Sequence, residues 1–129
     1  MKGNNPVFTT DAPAAIGPYS QAIECRPSRM LFVSGQIPID PATSAIVPGG
    51  IEAETRQVLR NIDAILTAGG MDRTNVVRAT IFLASMSDFQ VVNGIYAEFF
   101  GEHKPARAAF QVAALPRGAL VEIDAIAVE

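Results

Sequence analysis

The chain has 129 residues, 49% of them hydrophobic and 18% charged, and a formal net charge of -3, which describes one ordinary globular domain spanning residues 1–129. The mildly acidic balance, with no cluster of Lys and Arg, excludes partners bound by phosphate neutralisation, so neither nucleic acid nor a membrane surface is expected. One cysteine, Cys25, rules out an intrachain disulfide; with no signal-peptide core and no apolar span, the expected compartment is the reducing cytoplasm.

In chain order, prolines at 6, 13 and 18 and Gly17 make residues 1–18 an extended lead-in, within which VFTT predicts a short edge strand. YSQAIE, from Tyr19 to Glu24, predicts a strand, and MLFVSGQ, from Met30 to Gln36, predicts its hairpin partner. The Pro- and Gly-rich run IPIDPATSAIVPGG reads as an aperiodic loop. From Ile51 to Ala68, Val58, Leu59, Ile62, Ile65 and Leu66 recur at the spacing of a single helical stripe, and Gly69 and Gly70 supply the stop. VVRATIFLA is apolar on both sides and predicts an interior strand. Ser87 and Gln90 resemble a capping box for a second helix whose buried face is Phe89, Val92, Tyr96, Phe99 and Phe100, ended by Gly101.

The remaining stretch, Lys104 to Glu129, predicts a hairpin that turns through Leu115–Gly118. Alternation sets Arg107, Ala109 and Gln111 against Ala108, Phe110 and Val112, and sets Glu122 and Asp124 against Val121 and Ile123. A half-buried hairpin puts the apolar sets on one face, so Arg107 and Glu122 are expected to share the other. Two helices cover one face of such an α+β sheet. The other face, apolar in MLFV and ATIFLA, calls for further copies of the chain.

Several side chains invite chemistry. Arg107 fits a carboxylate bidentately, or else pairs structurally with Glu122 or Asp124. Glu122 suits a water-activating acid or base, or that same ion pair. Tyr19 follows a stiff Gly-Pro corner and can donate to a ligand or pack. Ser34 and Gly35 offer a hydroxyl and amides at a strand end. Asn93 borders the buried stripe, where a helix-to-sheet bond serves it as well as a ligand does. His103, the single histidine, excludes a multi-histidine metal site and reads as part of a solvated loop. Cys25 has no histidine close in sequence, and no phosphate loop, Ser-His-Asp set or metal spacing is present.

Taken together, APAAIGPYSQA at 12–22, FVSGQIPID at 32–40, PARAAFQVAALP and LVEIDAIAV resemble the RidA/YjgF family over nearly the whole chain. The resemblance implies a chorismate-mutase-like α+β fold, a homotrimer with ligand pockets at the subunit interfaces, and hydrolysis of reactive enamine/imine intermediates to 2-keto acids and ammonia without metal or organic cofactor. By the same resemblance Arg107 clamps the substrate carboxylate and Glu122 positions the attacking water. Tyr19, Ser34, Gly35, Asn93 and the backbone at Ala109 then shape the pocket. Two departures stand out: Ala109 replaces a cysteine found in many members, which removes a thiol mechanism there, and Lys104 replaces an aromatic in a shortened rim. Two rivals use the same residues, a non-enzymatic trimeric binder of small carboxylates and a deaminase of a larger intermediate.

Overall fold

The computed structural model describes residues 4–129; the first three residues of the predicted lead-in lie outside them. In chain order the elements are β1 (Asn4–Val7), β2 (Ala22–Cys25), β3 (Met30–Gln36), β4 (Ile39–Asp40), β5 (Ala45–Ile46), α1 (Gly50–Ala68), β6 (Val76–Leu83), α2 (Phe89–Phe100), β7 (Ala106–Gln111) and β8 (Val121–Val128). Single 3-10 turns sit at Arg73–Asn75, Met86–Asp88 and Pro116–Gly118.

The predicted stripe of α1 is its buried face: Val58, Leu59, Ile62 and Leu66 lie in the core. Burial of each such side chain stabilises the fold by roughly 1.5–3 kcal/mol. The helix stops because the chain reverses into a left-handed turn at Gly70, φ 74°. There the Gly70 and Met71 amides donate to the Thr67 and Leu66 carbonyls, and a side chain at that φ would be strained. In α2, Val92, Tyr96 and Phe100 are buried together with Ile95, while Phe89 and Phe99 pack at the margin of the core. The predicted capping box does not form. Ser85 instead accepts the Ser87 amide at the 3-10 turn before α2, and Asp88 at the helix start makes no side-chain cap.

Four strands make the main sheet, in the order β3-β8-β6-β7, with β6 and β7 parallel and the other pairs antiparallel. β6 is interior, as its two-sided apolar sequence predicts. Two expected hairpins are not formed. β3 pairs with β8, whereas the short β2 pairs with β1. The turn between β2 and β3 is drawn to the far end of the chain instead: Ser28 and Arg29 donate to the Glu129 carbonyl, and Arg29 and Glu129 form an ion pair at 3.0 Å. Nor do β7 and β8 pair with each other, because β6 lies between them and uses both its edges. The connection from Val112 to Leu120 straps across the end of β6, with Val112 donating to the Leu83 carbonyl and Ala84 to the Leu120 carbonyl. The loop after β3 is more ordered than its composition suggests: β4 and β5 pair within it, and Asn61 of α1 donates to the Ile39 carbonyl at 2.9 Å.

Both helices pack on one face of the sheet, against Ala79, Ile81, Leu83, Val121, Ile123, Ala125 and Ala127. Among the described residues, no helix covers the opposite face. Phe32 is 70% exposed, Met30 49% and Phe110 44%, and Phe110 meets Phe82 edge-on at 5.2 Å. The uncovered apolar face read from the sequence is therefore present.

Candidate active site

Strand register decides which side each polar group serves. Arg107 lies opposite Ala79, a buried core residue, so its side chain stands on the helix-covered face. Glu122 lies opposite Phe82, on the open face. The expectation that Arg107 and Glu122 share a face is thus corrected. The sequence rule treats the apolar set of β7 as the core set, but here the open face is itself apolar. Phe110 joins Phe82 there, and the edge strand β7 turns Arg107 and Ala109 inward.

Inward placement brings Arg107 under one stripe of α2. Phe89, Asn93 and Tyr96, four and three residues apart, present a single helical face to it. Arg107 Nη1 donates to Asn93 Oδ1 at 2.6 Å, and the guanidinium lies 5.7 Å from the Phe89 ring centroid, 5.1 Å from Tyr96 and 5.3 Å from Tyr19. These are cation–π distances. Among the described residues Arg107 makes no ion pair, so the structural pairing with Glu122 or Asp124 is not formed; Asp124 accepts the Thr80 amide instead. Burial lowers the Arg107 pKa from its ordinary value, with Tyr96 and Tyr19 acting the other way; guanidinium nevertheless stays charged. Burial also raises the Tyr96 hydroxyl, against the pull of Arg107.

Tyr19 arrives from the Gly-Pro corner. Its amide donates to the Gly17 carbonyl at 2.8 Å and its hydroxyl accepts the Ile16 amide at 3.4 Å. Ser20 fastens this loop to the root of β7: its amide donates to the Pro105 carbonyl at 3.2 Å and its hydroxyl to the Lys104 carbonyl. Arg107, Asn93, Tyr19 and Ala109 thereby line one cavity of about 320 Å³, shared with Ile16, Gly17, Met86 and Phe89. Its walls are apolar and one cation sits within it, a chemistry suited to a small carboxylate with an apolar remainder. The sequence marks Phe89 and Tyr96 only as core residues. Their spacing about Asn93 was the available signal for a second role.

The remaining candidates gather elsewhere. Ser34 and Gly35 occupy a bulge in β3, where the register slips between Val33 and Gln36, and Gly35 lies directly over the Glu122 side chain. Glu122 makes no hydrogen bond or ion pair among the described residues. The chain thus carries two half-sites, an arginine cavity on the helix side and a carboxylate on the open face. One expectation outside both fails. His103 is half-buried, bonded to the Val76 carbonyl at 2.6 Å through Nε2, with Nδ1 buried and without a hydrogen-bond partner among the described residues. Burial lowers its pKa, opposed by the bond to Val76 and by Asp72.

The fold is thus an α+β sheet with two helices on one face and an arginine fork in a largely apolar cavity. A sequence model described as endoribonuclease L-PSP matches residues 9–129. The chain belongs to this family, which includes the RidA proteins that its motifs resemble. It is 54% identical over 123 residues to a 2-iminobutanoate/2-iminopropanoate deaminase of Mus musculus, covering 95% of this chain and 90% of that one. Among solved structures it is similar to a putative endoribonuclease of Thermotoga maritima, with 53% identity, a TM-score of 0.76 and 97% of each chain covered. It is also similar to E. coli TdcF with bound serine, with 39% identity, a TM-score of 0.74, and 97% of this chain and 98% of that one covered.

Proposed function

We propose that the protein hydrolyses reactive enamine and imine intermediates of the 2-aminoacrylate type, that is 2-imino acids, to 2-keto acids and ammonia, acting in the cytoplasm as a homotrimer. Arg107 carries this reading. It is a half-buried guanidinium whose single hydrogen-bond partner among the described residues is a neutral amide, and such a fork is matched by a carboxylate. The relatives named as 2-iminobutanoate/2-iminopropanoate deaminases support an imino acid as the molecule that bears it.

Because Arg107 and Glu122 face opposite sides of one sheet, the reaction needs two copies of the chain. Covering the open face with neighbouring copies buries Phe32, Met30 and Phe110 and lets Glu122 of one copy complete the arginine cavity of another. Arg107 holds the substrate carboxylate while Tyr19, Asn93 and the backbone at Ala109 bound the cavity. Ser34 and Gly35 come in with Glu122. The Glu122 carboxylate takes a proton from water as the water oxygen attacks the imine carbon, giving a carbinolamine. With the imine nitrogen entering protonated, the proton held by Glu122 is returned to nitrogen, the C–N bond breaks to release ammonia, and the carbinol O–H proton passes to the Glu122 carboxylate as the carbonyl forms.

The test supplies 2-aminoacrylate from a serine dehydratase and follows keto-acid formation. Wild type accelerates it and Arg107→Ala does not; equal rates for the two would end the proposal. Glu122→Gln is expected to lose about 10²-fold or more in turnover while holding 2-keto acids about as tightly as wild type. A second reading has one observation in its favour: among the described residues, no acid lines the arginine cavity of a single chain. In that reading the protein binds small carboxylates without turnover, and Glu122→Gln changes nothing.

A further inference from the structure

We infer that Gly35 is a positioning residue for Glu122: its missing side chain is the space that the Glu122 carboxylate occupies, so the glycine sets where the general base points. This inference rests on the hydrolytic reading above.

The geometry is specific to this pair. A Cβ built on Gly35 falls 2.2 Å from Glu122 Oε2, 2.9 Å from Cδ and 3.3 Å from Cγ. Ordinary contact begins near 3.4 Å, so a methyl group there drives the carboxylate oxygen more than 1 Å from its place. Backbone conformation does not explain the glycine, since Gly35 is absent from the positive-φ residues. The bulge in β3 explains the encounter. Val33 pairs with Ala125 but Gln36 pairs with Ile123, so one extra residue enters β3 and shifts the alternation. Val33 and Ile123 are core residues, and without the extra residue Gly35 would face the core with Val33. With it, Gln36 takes the core side and Gly35 is turned to the open face, over Glu122.

No other group fixes that carboxylate, for it has no hydrogen-bond or charged partner among the described residues. The backbone of β3 therefore acts as a wall, and the wall is close enough to limit the carboxylate only because it carries no side chain. This assigns Gly35 a duty different from offering its amide to the ligand, because alanine retains the amide and fills the space.

The experiment is a double-mutant cycle on the full chain with Gly35→Ala, Glu122→Asp and the double variant, read by turnover of dehydratase-generated 2-aminoacrylate and by Tm. Displacing a catalytic group by about 1 Å costs on the order of 10²-fold in rate, so Gly35→Ala is expected to lower kcat by that factor while 2-keto acid affinity stays near the wild-type value. Aspartate, one methylene shorter, places no atom at the 2.2 Å position and so relieves most of the clash with the added methyl. The double variant should therefore run at least about tenfold faster than the product of the two single losses predicts, and should regain the Tm lost in Gly35→Ala. If Gly35→Ala keeps wild-type kcat, or if the two substitutions combine additively in both rate and Tm, the inference is overturned. A Gly35→Ala chain too unstable to assay still leaves the double variant, whose failure to fold would equally refute the relief of the clash. Loss of the parent reading has its own signature, a wild-type protein without turnover.

Discussion

Replacing Arg107 with lysine keeps the positive charge and most of the apolar stem but removes the planar fork. In the structure one nitrogen of that fork is committed to Asn93 Oδ1 at 2.6 Å, and the three surrounding rings hold its plane. The other N–H groups have no partner among the described residues and can meet both oxygens of a carboxylate. An ammonium that takes over the Asn93 bond meets the ligand through one bond, not two. A hydrogen bond to a charged group is worth about 1.5–3 kcal/mol, so Arg107→Lys should weaken 2-keto acid binding about 10- to 150-fold. Calorimetric titration of wild type, Arg107→Lys and Arg107→Ala with 2-oxobutanoate reads this directly, with alanine the weakest of the three. Lysine binding within about twofold of wild type would mean that the fork is not what recognises the ligand, and the assignment of Arg107 as carboxylate clamp would fall.

Two further outcomes follow from exposure and burial. Phe32 is 70% exposed on the open face, so Phe32→Glu should leave the fold of each chain within about 0.5 kcal/mol of wild type yet turn the proposed trimer into monomers and abolish turnover. Light scattering after gel filtration checks it, and an unchanged trimer would count against that face as the interface. His103 has a lowered pKa caused by burial, so the unfolded chain binds a proton before the folded one does. The stability His103 contributes is complete above its ordinary value of 6.5 and is lost as pH falls from there to the folded-state value. Urea unfolding across that window should show stability rising with pH in wild type and a flatter dependence in His103→Gln; parallel slopes would exclude the histidine as the source.

Local periodicity made α1, α2 and β6 legible, because each buries a stripe or two faces that the residue spacing alone reveals. Pairing was not legible. β3 and β2 are neighbours in sequence, yet the longer apolar β3 gains more from β8, and nothing in the turn residues announces that. The half-sites show the same division. Arg107, Asn93, Tyr19 and Ala109 were all named from the sequence and are all in one cavity. Glu122 was named too but placed on the wrong side, because alternation gives only relative facing within a strand. Which face is the helix side depends on Ala79 and Phe82 of the strand between. Phe110 misled the reading for a physical reason: an apolar side chain marks a buried face only when the sheet has a single apolar face.

The sheet order also governs how the chain reaches this structure. β8 is the shared partner of β3 and β6, and its pairing with β3 joins Met30 to Val128 across most of the described chain. The two helices can nucleate from local contacts, but until β8 inserts, β3 has no strand beside it and α1 has only part of the surface it covers. Closing so long a loop must precede the reward of pairing, a topology associated with slow folding. The strand that carries Glu122 is thus the one whose arrival completes the sheet, so any delay in its insertion leaves the apolar stripe of α1 open to solvent.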